Sequence, residues 1–112
     1  MSGETETLFE MMLCADRFCS EVEAAAQDVA PTQEMHELRL KIAQSRTFLR
    51  EIRNFYEDEK LTLENESVRG LFRQLVLALM WVAFYARGII DFKLFRKLVM
   101  VESSFTHLLV TR

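Results

Sequence analysis

Glycine and proline are nearly missing from the chain: three glycines and one proline in 112 residues. A protein of many short strands needs turn chemistry at every reversal, so this scarcity argues against it and for long helices with few connections. Cysteine is also sparse. Cys14 and Cys19 are five residues apart on one expected helix, about 140° apart around its axis, a geometry that does not suit a mutual disulfide. With no signal peptide ahead of them, a reducing compartment is expected, cytoplasmic or nuclear. His36 and His107 are the only histidines, and with the two cysteines they form no recurring zinc spacing. No glycine elbow, phosphate loop or calcium loop occurs either. No catalytic, metal or cofactor site is expected, and the chain reads as a non-enzymatic protein.

What is present is apolar and charged in quantity. Half the residues are hydrophobic and 28% are charged, with a net charge of −3. That balance is globular, and the length suits one domain over residues 1–112. The charge is unevenly divided. Residues 1–66 hold 15 acids and 7 bases, whereas residues 67–112 hold 2 acids and 7 bases. The two halves therefore attract each other on packing, and the basic half can also face an anionic partner.

The longest uncharged run is Leu75 to Ala86, twelve residues between Arg73-Gln74 and Arg87-Gly88. As a helix the run rises roughly 18 Å, short of a bilayer's hydrocarbon thickness, so it is read as a core helix rather than a membrane span. It is apolar all round and predicts a central helix over about 66–87, ended by Gly88 in the left-handed conformation. Trp81, at its middle, is expected to be buried against at least two other helices.

Other helices follow from spacing. From Thr5 to Val29 the apolar residues Leu8, Met11/Met12, Ala15, Phe18/Cys19, Val22, Ala25/Ala26 and Val29 recur every three or four positions, until Ala30-Pro31 stops the helix. Thr32 can cap a second helix with its stripe at Met35, Leu38, Ile42, Ser45, Leu49, Ile52 and Tyr56. Asn65 or Ser67 can cap the third. Leu61 and Leu63, in the connection before it, are expected to fold over the core. Asp91 can cap a fourth helix, whose stripe is interrupted at Glu102-Ser103-Ser104, where a bend or break is expected. The predicted fold class is all-α, a single-domain antiparallel bundle of about four helices.

Two surfaces stand out. Arg39, Arg46, Arg50 and Arg53 lie within about 60° on one edge of helix two, a row suited to phosphates or carboxylates. The plainer reading pairs them with Asp16 and Glu23 on helix one, and Arg53 with Glu57 four residues on. The second surface is apolar. Phe48 and Phe55 point away from the arginine row, and Val76, Met80 and Phe84 share a face with Arg69, Arg73 and Arg87. Such faces usually mark a partner or self-association. The expected function is an adaptor or regulatory subunit acting through Phe48, Phe55, Val76, Met80 and Phe84, as a homodimer or on another helical protein. The alternative is a dimeric protein that lays the arginine row along duplex RNA or DNA.

Overall fold

The computed structural model describes residues 3–111 and is all-helical over them. Helices α1 (Gly3–Ala26), α2 (Gln33–Glu57), α3 (Glu66–Ala86) and α4 (Phe92–Thr111) run alternately up and down as a four-helix bundle. α3 packs most extensively on α2 and next on α4, while α1 closes the ring against α2 and α4. Of the α1 stripe, Leu8, Met12, Ala15, Phe18, Cys19, Val22 and Ala26 are buried while Met11, Ala25 and Val29 are half-buried at its margin, and the α2 stripe is buried from Met35 to Ile52. Ser45 falls within the α2 stripe and is buried too, its hydroxyl donating to the Lys41 carbonyl at 2.9 Å. Leu61 and Leu63 fold back over the core, and the Leu61 carbonyl accepts from Thr5 Oγ1 at 3.0 Å. Each large core side chain contributes on the order of 1.5–3 kcal/mol through burial.

The helix ends show how local chemistry sets the boundaries. Thr32 Oγ1 accepts from the Met35 amide at 3.1 Å, and Asn65 Oδ1 accepts from the Ser67 and Val68 amides at 2.9 and 3.3 Å. Asp91 Oδ1 accepts from the Leu94 amide at 2.7 Å. These side chains satisfy amides that a helix start leaves orphaned. α1 ends at Ala26 rather than Val29, in a turn where the Val29 amide reaches the Ala26 carbonyl at 3.2 Å.

Two expectations about breaks fail. Gly88 is not in the left-handed region: no glycine has a positive φ among the described residues, and α3 ends in a turn closed by the Ile89 and Ile90 amides on the Ala86 carbonyl. α4 does not break at Glu102-Ser103-Ser104: one helix runs from Phe92 to Thr111, and Ser104 and Thr106 direct their hydroxyls to the carbonyls of Met100 and Glu102, four residues back within it.

The left-handed residue is Glu59, with φ 59°. It closes α2 in a Schellman arrangement: the Lys60 amide donates to the Phe55 carbonyl at 2.8 Å and the Glu59 amide to the Tyr56 carbonyl at 3.0 Å. A side chain in that conformation costs about 1 kcal/mol, which glycine avoids. Glu59→Gly is therefore expected to stabilise the bundle by up to about 1 kcal/mol in urea unfolding, and a loss of stability would contradict the assignment.

α3 has 21 residues and a composition that by length and apolarity alone could cross a membrane. In the bundle, one side of it, from Val68 through Phe72, Leu75, Leu79 and Val82 to Ala86, is enclosed by the other helices. Its opposite side is not.

Candidate functional site

At 100° per residue, Leu77, Met80, Trp81 and Phe84 fall in one strip along the outside of α3. No described residue covers that strip. Leu77 is 58%, Met80 50%, Trp81 44% and Phe84 47% exposed. Expected burial of Trp81 against two helices is thus overturned: the positions that meet α2 and α4 are occupied by Ala78, Val82 and Ala83, and the indole is turned outward. It stacks at 5.6 Å on Tyr85 and meets Phe84 edge-on, also at 5.6 Å, so the strip forms a continuous aromatic surface.

Grooves flank the strip on both sides. Toward α2, Lys41, Gln44 and Phe48 border Gln74, Leu77, Ala78 and Trp81. Toward α4, Phe95, Val99 and Glu102 border Met80, Ala83, Phe84 and Arg87. At the C-terminal end, Arg87 lies over the Phe84 ring at 4.1 Å, donates to the Phe84 carbonyl, and pairs with Glu34 at 3.7 Å. Arg73, at the other end, has no ion pair or hydrogen bond among the described residues.

The sequence-predicted contact residues are divided by this arrangement. Met80 and Phe84 lie on the open strip, and Phe48 lines its α2 groove. Phe55 is half-buried against the core edge. Val76 is buried, a correction to its expected place on an outer face, because it lies on the α4-facing side of α3. Arg69 accompanies it there and donates to the carbonyls of Leu63 and Leu109 at 2.9 and 2.7 Å. Sequence reasoning missed Leu77 and Trp81. With Met80 and Phe84 their spacing of i, i+3, i+4 and i+7 puts them on one face, but the buried Leu75, Ala78, Leu79 and Val82 have the same spacing, so the run alone does not say which face is outside.

The arginine row is also divided. Arg46 pairs with Glu23 at 2.8 Å and Asp16 at 3.8 Å, and donates to Ser20 Oγ at 2.9 Å. Arg39 donates to the Ala26 carbonyl at 3.3 Å, capping the end of α1. Arg50 and Arg53 line a cleft between α1 and α2 over Phe9, Met12, Leu13 and Leu49. Arg53 lies 5.7 Å from the Phe9 ring and forms no ion pair with Glu57, contrary to the helical spacing rule.

Neither cysteine is in a disulfide. Cys19 is fully enclosed, and burial pushes its thiol up to about 12, opposed by the nearby Arg46. Such a thiol is a core group rather than a nucleophile. Among the described residues no three histidine, cysteine, aspartate or glutamate side chains converge as metal ligands. The fold is that of a four-helix bundle, and no protein-family model, curated protein or solved structure matches the chain.

Proposed function

We propose that the protein is a non-enzymatic interaction module whose working surface is the outer face of α3. The observation that carries this reading is the strip Leu77, Met80, Trp81 and Phe84, four large apolar side chains about half exposed on one helix face. A contiguous apolar patch in water is costly to leave open, and surfaces of this kind mark sites of association. Aromatic residues and methionine are also the types enriched where interfaces form. Duplex binding by the arginine row has less behind it, since Arg39 and Arg46 are engaged within the bundle and only Arg50 and Arg53 remain. Two contacts fall short of the several phosphates that such binding neutralises.

The test is photo-crosslinking in the cells that make the protein, with a benzophenone amino acid in place of Phe84 and a control at Leu40, exposed on α2. Adducts at position 84 and none at 40 are expected. No adduct at 84 would overturn the reading.

A further inference from the structure

Resting on that reading, we infer that the occupant of the α3 face is a second copy of this chain, with the two α3 helices parallel about a twofold axis running along them. Charges at the two edges of the strip carry the inference. Lys41 borders the α2 groove at the level of Ala78 and Trp81, and Glu102 borders the α4 groove at the level of Met80. Both are only partly exposed, beside apolar surface. Neither has a counter-charge among the described residues. Lys41 Nζ reaches the side-chain oxygen of Gln44 at 3.4 Å, and the Glu102 carboxylate accepts from the hydroxyls of Ser103 and Thr106 at 3.4 and 3.2 Å. Covering the strip would remove water from both charges, at a cost unless each meets its opposite.

Symmetry decides who can supply the opposite charge. A twofold axis parallel to α3 keeps every residue at its own level and lays the α2 edge of one copy on the α4 edge of the other. Lys41 of each copy then faces Glu102 of the second, twice per dimer. A twofold axis across α3 at the level of these charges, near the middle of the strip, instead lays like edges together, lysine against lysine and glutamate against glutamate, which is repulsive. The axis along α3 sets Arg87 and Arg73 each beside its own copy at the two ends of the strip; Glu34 lies beside Arg87, and Arg73 is exposed, so it stays hydrated at the rim. The ~800 Å² per partner that stable dimers bury takes most of one long side of a bundle measuring 44 × 22 × 19 Å, so the contact extends past the strip onto both groove edges, where Lys41 and Glu102 stand.

The test uses Lys41→Glu and Glu102→Lys in the full chain, with association read by sedimentation equilibrium and by emission of Trp81, the one tryptophan. Wild type is expected to dimerise at micromolar concentration, with Trp81 emission moving to shorter wavelength as the indole leaves water. Each variant alone opposes like charges at both contacts and is expected to bind itself about tenfold or more weakly, with unchanged helicity by circular dichroism. An equimolar mixture of the two variants matches opposite charges at both contacts, so association returns toward the wild-type level. A mixture no tighter than its components would overturn the parallel arrangement. A wild-type chain that stays monomeric at about 100 μM, or that binds anionic vesicles as a monomer through this face, would overturn the second copy as occupant. In those cases an adduct of different mass at position 84 leaves the interaction module standing, whereas no adduct removes that reading too.

Discussion

Phe72→Ala is expected to lower the unfolding free energy by about 3–5 kcal/mol, whereas Trp81→Ala is expected to cost about 1 kcal/mol or less in the dilute monomer. The contrast is the sharpest stability test of how α3 is oriented. Phe72 is enclosed, with its ring 5.3 Å from that of Phe105 on α4, so truncation leaves a cavity that helices on both sides must fill. For a small domain this is a large share of the total stability. Trp81 is the bigger side chain, but nearly half of it already lies in water and its ring contacts are with its own helix neighbours Phe84 and Tyr85. Urea unfolding at low protein concentration separates the two variants without a contribution from association. If Trp81→Ala proved as damaging as Phe72→Ala, the strip would be core and α3 would be rotated from the orientation described.

Met80→Glu combined with Phe84→Glu is expected to weaken association at least 100-fold and leave the bundle folded. Both side chains are about half exposed in the monomer, so a carboxylate at either place remains hydrated there and costs little. In the associated state the same carboxylates would be enclosed by apolar surface without partners, and each 1.4 kcal/mol of that penalty is a factor of ten in affinity. Size-exclusion chromatography with light scattering reads the loss, and the thermal midpoint of the dilute chain reads the fold. Wild-type affinity in this variant would remove the α3 face from any contact, whichever partner it serves. A collapse of the fold would instead place Met80 and Phe84 inside the bundle.

Much of the architecture is legible in the chain. α1 and α2 have narrow stripes of apolar residues between polar ones, so periodicity alone identifies Leu8 to Ala26 and Met35 to Ile52 as buried. Thr32, Asn65 and Asp91 are readable as caps because the bond each makes lies within its own first turn. Local spacing also mispredicts. Nothing near Ser103-Ser104 requires a break once the hydroxyls turn back on the helix, and Glu59 takes the left-handed position that a reader assigns to glycine.

The candidate site lies where that reasoning loses its signal. A helix that is apolar on every side has no polar face to mark its outside, so the run from Leu75 to Ala86 does not reveal which of its residues face water. Only the placement of α2 and α4 on either side of α3 decides that Val76 is enclosed while Leu77 and Trp81 are open, residues that are sequence neighbours of equal or greater apolarity. The arginine row is resolved in the same way. Its spacing puts four guanidiniums on one edge of α2, but the approach of Ser20 and Glu23 on α1 selects Arg46 for pairing, and the end of α1 selects Arg39. Helix formation and stripe burial depend on contacts a few residues apart, which a sequence displays directly. The open face of α3 depends on which helices stand beside it, and that is a property of the packed bundle alone.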